Sequence, residues 1–273
     1  MKLEGRTAVV TGAGSGVGRG IAQALARRGC NLALVDVNQA GTAETAALAG
    51  NVKVSCHHLD VSDREKCLAL PAAVIAEHGR VDLLFNNAGV AIGGTFEQVD
   101  EADFDWLMEI NFAAVVRLTR AFLPHLKTSD EARIVNTSSL FGLIAPPNQA
   151  AYCASKFAVR GFSESLRNEL ALAGSTVGVS VVHPGGISTS IARNARAPKH
   201  VTNAEAVEAE ALRANFEKNF LKMPPERAGE IIVTGVEKGR PRIMVGNDAK
   251  FAALIERIAP VSYWKLLGRS MSA

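Results

Sequence analysis

The stretch Thr11-Gly12-Ala13-Gly14-Ser15-Gly16-Val17-Gly18 closes an apolar run, Thr7 to Thr11, and leads at once into a segment carrying Ile21 and Leu25. A strand that ends in glycines and turns directly into a helix presents unpaired backbone N–H groups and the positive end of the helix dipole to an anion. Glycine there lets the main chain approach a pyrophosphate closely. The spacing is G-x-x-x-G-x-G rather than the literal G-x-G-x-x-G, and a tight turn alone would account for the glycines. Asp36 speaks against that simpler reading. It follows the second apolar run about 20 residues later, where a carboxylate accepts hydrogen bonds from the adenosine ribose hydroxyls. The sequence therefore predicts a dinucleotide cradle of Gly12, Gly14, Ser15, Gly16, Val17, Gly18, Asp36 and Val37. A carboxylate at position 36 would repel a 2'-phosphate, so NAD(H) is expected over NADP(H). Arg19 is the neighbouring cation that could soften this repulsion, although an arginine early in such a helix is expected to face solvent.

Working outward, short apolar runs alternate with helical patterns, which is the signature of parallel strands joined by crossover helices. The runs are Thr7 to Thr11, Leu32 to Val37, Val52 to Leu59, Val81 to Phe85, Arg133 to Thr137, Val177 to Val182 and Arg242 to Val245. Most lack polar alternation, as strands covered on both faces should. Helical stretches are expected near 17–28, 39–49, 63–78, 101–127, 151–172 and 226–238. In the fourth, Phe104, Leu107, Val115, Leu118, Phe122 and Leu126 form an apolar stripe at three- or four-residue spacing, interrupted by Asn111. These readings give an α/β fold of the Rossmann type, a doubly wound, mostly parallel sheet of seven strands flanked by helices. With no repeat, linker or low-complexity tract, one domain over 1–273 is expected. Residues 190–223 delay the return to the sheet and read as a small helical lid on the substrate side.

The composition excludes several classes. The chain has 273 residues, 48% of them hydrophobic, with a formal net charge of +3 and scattered basic residues, unlike a nucleic-acid-binding face. No run approaches 18 apolar residues, so no membrane span is expected. Met1 to Gly5 lack the basic and apolar regions of a secretory signal, and a soluble cytoplasmic protein is expected. Cys30, Cys56, Cys67 and Cys153 show no metal-binding spacing and read as buried free thiols, while His57 and His58 would point to opposite faces of a strand. No metal is expected.

A second constellation is Tyr152-Cys153-Ala154-Ser155-Lys156. On a helix, residues four apart share a face, so the Tyr152 phenol and Lys156 ammonium can address one volume. A phenol with a pKa near 10 is a poor base at neutral pH and needs nearby positive charge to favour the phenolate.

Taken in order, TGAGSGVG at 11–18, LD at 59–60, NNAG at 86–89, Asn111, NTSS at 136–139, YCASK at 152–156 and PGGIST at 184–189 resemble the classical short-chain dehydrogenases/reductases. The resemblance spans Leu3 to Gly246. It implies Tyr152 as acid/base, Ser139 orienting the substrate oxygen, and Lys156 binding the nicotinamide ribose and biasing the phenol. It also implies that Asn111 holds a water linking Lys156 to solvent. Ser138 rivals Ser139, which is preferred because it lies thirteen positions before Tyr152, as the family's catalytic serine does. By the same comparison Asp60 and Val61 lie near adenine, and Asn87, Ala88 and Gly89 along the ribose and pyrophosphate. Pro184, Gly185, Ile187 and Thr189 fall near nicotinamide. Asn87 and Gly89 could equally serve only to stabilise a strand end and its turn.

Loops beyond the carboxyl ends of the strands should build the substrate pocket. Its candidate walls are Leu140, Phe141, Gly186 and Ile191, with Val90, Ile92, Phe96 and Pro146, which suit an apolar alcohol or ketone. Arg193, Arg196, Lys199 and His200 form a basic cluster on the lid that could meet an anionic substrate, but a solvated lid face is the expected reading. Ile255, Ile258, Val261, Tyr263, Trp264, Leu266 and Leu267 make an apolar patch that could close the pocket. The family implies a homodimer or homotetramer through 101–127 and 151–172. The expected activity is NAD(H)-dependent interconversion of a secondary alcohol and a ketone. The rival functions are a non-catalytic NAD-binding regulator, a 3-oxoacyl-thioester reductase and a sugar-nucleotide epimerase or dehydratase.

Overall fold

Successive residues of one strand divide between two cores: Ala8 and Val10 pack on one face of the sheet and Val9 on the other, all fully buried. This two-sided burial follows from the pleat and explains the missing polar alternation. The computed structural model describes residues 1–271. Seven strands, β1 (Thr7–Thr11), β2 (Asn31–Asp36), β3 (Val54–His58), β4 (Leu83–Asn86), β5 (Ala132–Thr137), β6 (Val177–Pro184) and β7 (Arg242–Val245), pair in the order β3-β2-β1-β4-β5-β6-β7. Every pairing is parallel. The order reverses between β1 and β4, the place where open α/β sheets bind ligands beyond the strand ends.

The crossover helices are α1 (Gly16–Ala26), α2 (Gln39–Ala47), α3 (Arg64–His78), α4 (Glu101–Met108), α5 (Ala114–Leu126) and α6 (Ala150–Leu172), followed by α7 (Asn203–Phe220) and α8 (Pro225–Glu237). Their starts are written in short polar side chains. Asn38, Asp63, Asp100 and Thr202 each accept a backbone N–H from the first turn of α2, α3, α4 and α7. In α7 Glu205 reciprocates to Thr202, completing a capping box. Helix α1 has no side-chain cap and no acid in its first turn, as is also true of α5 and α6.

Several boundaries and elements differ from expectation. The predicted helix 101–127 is broken by a π turn, Glu109–Ala113, that carries Asn111. The third strand is short and half exposed because it forms the sheet edge. Residues 190–223 hold one helix, α7, and the segment is stitched to the body by the bridges Ile92 to Arg196 and Ile187 to Met223. The C-terminal apolar patch belongs to two helices, α9 (Asn247–Ile258) and α10 (Tyr263–Met271). Cys56 is exposed on the edge strand, unlike the three buried thiols. Among the described residues no helix is long and apolar enough to cross a membrane, and no group of three or more His, Cys, Asp or Glu could hold a metal ion.

Helices α1 and α8 cross at a glycine pair. A Cβ on Gly229 would lie 2.1 Å from the Gly20 carbonyl carbon, and one on Gly20 would lie 2.2 Å from the Pro225 oxygen. These contacts are backbone against backbone, so neither neighbour can rotate away. Gly229→Ala is expected to lower stability by about 1–3 kcal/mol, the usual range for overpacking. Urea unfolding should show this as a lower midpoint at unchanged slope.

Candidate active site

The cleft begins where β1 and β4 end. Gly12 has a φ of 66°, and a Cβ there would come within 2.9 Å of the Ala88 Cα. Thr11 fastens the junction: its hydroxyl accepts the N–H groups of Asn87 at 2.9 Å and Ala88 at 3.0 Å. The Asn87 amide donates to the Thr11 carbonyl at 3.1 Å, so this side chain serves the strand ends. Gly18 is equally constrained, since a Cβ would meet the Gly12 oxygen at 1.9 Å. Ser15 precedes α1 in an extended conformation, which leaves the first N–H groups of that helix without a side-chain partner. An uncapped, acid-free helix start is what an anionic pyrophosphate requires.

Asp36 ends β2 beside the glycine turn. Its carboxylate accepts Gly14 N–H at 2.8 Å and Asn38 N–H at 2.8 Å, one on each oxygen. A carboxylate offers about four lone-pair sites, so acceptor capacity remains for ribose hydroxyls. Arg19 does not face open solvent. Its guanidinium reaches the Gly14 carbonyl at 2.6 Å, Thr45 at 3.0 Å and the Glu44 carboxylate at 2.7 Å. Val37 is exposed beside this loop. Asp60 accepts both the N–H and the hydroxyl of Ser62, and Val61 is buried in the core, so their side chains serve the turn into α3.

Across the cleft, β5, the loop after it and α6 bring Ser139, Tyr152 and Lys156 together. The Ser139 side chain acts to lower the Tyr152 phenol, its own hydroxyl accepts the Phe141 N–H at 3.1 Å, and the Lys156 nitrogen lies 5.5 Å from the Tyr152 ring centre. Lys156 is 3% exposed and donates to the Thr137 carbonyl at 3.2 Å. Burial pushes the Tyr152 phenol up to about 12 and the Lys156 ammonium down to about 8. Desolvation is the dominant cause of the Tyr152 shift, and the positive charge that would favour the phenolate is expected from Lys156 and oxidised nicotinamide together. Ser138 does not compete for the site, because its buried hydroxyl donates to the Lys156 carbonyl at 2.8 Å.

Asn111 is buried within the π turn. Its amide oxygen accepts Val90 N–H at 2.8 Å and its NH2 group reaches the Val90 carbonyl at 3.0 Å and Ser155 at 3.2 Å. Gly89 fills the gap between Asn111 and Lys156, since a Cβ would stand 3.1 Å from the Asn111 oxygen and 3.4 Å from the Lys156 nitrogen. Such turns often mark functional sites, as the extra residue re-aims a side chain.

Pro184, Gly185 and Gly186 carry the chain off β6. Ile187 then turns into the core, while the Thr189 methyl sits 3.2 Å from where a Cβ on Gly16 would be, closing the cleft over α1. Leu140 and Phe141 are partly buried beside Ser139, and Phe141 meets the Tyr152 ring edge-on at 6.2 Å. Ile191 is partly exposed, whereas Phe96 is 77% exposed. All four residues of the basic cluster are exposed, as a solvated face requires, and two of them are also paired. Arg196 pairs with Asp103 at 2.8 Å and stacks 3.4 Å over Trp106, and Lys199 pairs with Asp100 at 2.9 Å and Asp103 at 3.1 Å. Two of its cations are thus already neutralised by α4.

The short chain dehydrogenase family model matches residues 6–200. The chain belongs to the classical short-chain dehydrogenase/reductase family. It is 43% identical to the putative oxidoreductase SadH of Mycobacterium tuberculosis over 99% of this chain and 96% of that one. With oxidoreductase UcpA of Salmonella typhimurium it shares 36% over 78% of this chain and 81% of that protein. Among solved structures, a short-chain dehydrogenase/reductase from Burkholderia phymatum in complex with NAD superposes with a TM-score of 0.87 at 30% identity, covering 94% and 95% of the two chains. This short-chain dehydrogenase is accordingly an oxidoreductase.

The sequence reading missed the polar supports beneath the site of this short-chain dehydrogenase. Asn86 donates to Asn136 at 2.8 Å and Asn136 to Ser163 at 2.9 Å, a buried relay from β4 through β5 to α6. His183 at the end of β6 meets the Ser139 carbonyl through Nδ1 at 2.9 Å, while Nε2 is buried without a partner. Asparagines at strand ends were a visible signal; a lone histidine in an apolar strand was not.

Burial holds His183 down at about 4, below its ordinary 6.5. Above pH 6.5 it is neutral in both folded and unfolded chains and exerts no pH dependence. Between 6.5 and 4 only the unfolded chain binds the proton, so stability falls as pH falls, by about 3 kcal/mol across the window. Urea unfolding at pH 7 and pH 4.5 should show a smaller loss for His183→Asn than for the wild-type chain.

Proposed function

We propose that this short-chain dehydrogenase interconverts a secondary alcohol and a ketone using NAD(H). The observation that carries the reading is the meeting of Ser139, Tyr152 and buried Lys156 across one cleft from an uncapped helix start and Asp36. The first N–H groups of α1 receive the pyrophosphate and Asp36 the adenosine ribose. Lys156 and Asn87 to Gly89 line the path onward, with Pro184, Gly185, Ile187 and Thr189 on the nicotinamide side. When bound, nicotinamide supplies or accepts the hydride.

In ketone reduction the Tyr152 phenol gives its proton to the carbonyl oxygen, which Ser139 steadies by hydrogen bonding as negative charge develops. In alcohol oxidation Tyr152 must first lose that proton and then takes the hydroxyl proton. Lys156 favours the phenolate, and Asn111 holds Lys156 within reach of solvent through a water. Leu140, Phe141, Gly186 and Ile191 form apolar walls, with 190–223 as the lid. The Arg196 and Lys199 ion pairs argue against an anionic substrate there.

The cofactor preference rests on Asp36, since Arg19 is engaged with Glu44 and offers no free charge to a 2'-phosphate. Exposed Phe157 on α6 supports a homodimer or homotetramer through α5 and α6. The exposed thiol of Cys56 suits the reducing cytoplasm.

The test is a panel of aliphatic, aromatic, steroid-like and acyl-thioester carbonyls with both nicotinamides. Turnover of apolar ketones with NADH is expected, and a higher kcat/KM with NADPH would overturn the cofactor assignment. Tyr152→Phe should lower kcat by about 10²- to 10⁴-fold, whereas Ser138→Ala should change it far less than Ser139→Ala.

The two directions should differ in their pH profiles. A phenol pushed up to about 12 makes oxidation rise with pH until Lys156, which favours the phenolate, loses its charge near 8. Reduction uses the protonated phenol, so its rate should stay level until Lys156 loses its charge near 8 and then fall. Initial rates from pH 6 to about pH 10 in both directions check this.

A further inference from the structure

The family model ends at residue 200, yet α9 and α10 reach back to both loops that flank the cleft. Asp248, in the first turn of α9, accepts the Gly186 N–H on Oδ2 at 2.6 Å. Its carboxylate lies in a space that only glycines leave open: a Cβ on Gly185 would be 2.1 Å from Oδ2, and one on Gly246 would be 2.2 Å from Oδ1. Gly246 also holds a φ of 109°, a backbone setting that L side chains rarely adopt. On the other loop, the Tyr263 hydroxyl at the start of α10 accepts the Ala145 N–H at 2.9 Å. Between these two bonds Ile255, Tyr263 and Leu267 pack with Leu140, Phe141 and Ile144, and Phe141 in turn meets Tyr152.

We propose that α9 and α10 form a positioning frame, in which Asp248 sets the Gly185–Gly186 turn on the nicotinamide side and Tyr263 sets the loop after Ser139 on the substrate side. The division of labour rests on the proposed NAD(H)-dependent function. Gly186 lies two residues beyond the last residue of β6, so freeing its N–H loosens the turn that must approach the cofactor. Ala145 lies on the loop that carries Phe141 against Tyr152, so freeing its N–H loosens the apolar wall and leaves the cofactor cradle untouched. A hydrogen bond to a charged acceptor is worth more than one to a hydroxyl, so the Asp248 effect is the larger.

Two readouts test the frame. NADH dissociation constants from fluorescence titration should rise about 5- to 10-fold in Asp248→Ala, a change worth roughly 1–1.4 kcal/mol. Asp248→Asn, which keeps an oxygen acceptor, should remain within about twofold of wild type. Tyr263→Phe should raise the substrate KM several-fold with an unchanged NADH constant. Amide hydrogen exchange of the free protein should quicken at Gly186 in Asp248→Ala and at Ala145 in Tyr263→Phe, with the rest of the sheet protected as in wild type. Should Asp248→Ala fail to fold, Asp248→Ser replaces it in both measurements. Unchanged exchange at Gly186 and Ala145, or wild-type NADH affinity in Asp248→Ala, overturns the frame. If wild type itself binds no NADH, the proposed function fails, and the exchange data still decide the frame.

Discussion

The backbones leaving β1 and β4 approach so closely at Gly12 and Ala88 that no side chain fits between them, and the cleft depends on that contact. Thr11 holds it shut by accepting two backbone N–H groups from the opposite strand end. Once the junction is fixed, α1 must start beside it with its N–H groups pointing into the cleft. The neighbouring strand ends then deliver Asp36 from one side and Ser139 from the other. A parallel sheet places all its carboxyl ends along one edge, but only the reversal of strand order between β1 and β4 opens a crevice there.

The electrostatics of the catalytic side follow from burial. Lys156 is enclosed almost completely, with a backbone carbonyl and an aromatic ring for neighbours instead of a carboxylate. Its charge is therefore not cancelled locally, and the low-dielectric surroundings strengthen whatever it does interact with. The same surroundings keep the phenol protonated in the free protein. Tyr152 is thus held in its protonated form, and only added positive charge nearby would favour the phenolate.

Much of this was legible in the chain because short-range physics wrote it there. Strands buried on both faces read as unbroken apolar runs, and Asn38, Asp63 and Asp100 announce their helices. Of the residues the family motifs named, the structure brings Ser139, Tyr152 and Lys156 close together and places Val61 and Ile187 in the core. What stayed hidden depended on distance or on register. Arg196 and Asp103 are 93 positions apart, and nothing local to either announces the other. The apolar positions of α9 and α10 are divided by Pro260, so they looked like a patch with no period. Adjacency of Tyr152 and Lys156 was visible, whereas their burial was not, and it is burial that sets the direction of both shifts.

The π turn at Glu109–Ala113 adds one residue to a helical circuit, which advances the chain by roughly 100° about its axis. Upstream of it α4 and its N-cap aim Asp103 and Asp100 at Arg196 and Lys199; downstream α5 aims Leu118 and Phe122 into the sheet. The two halves keep separate phases, and Asn111 occupies the step between them. Smoothing that step by loss of a single residue would set the Asp103–Arg196 pair against the placement of the amide beside Val90. The irregularity therefore lets one stretch of helix pair with Arg196 and Lys199 while the next holds a buried amide against the Val90 backbone.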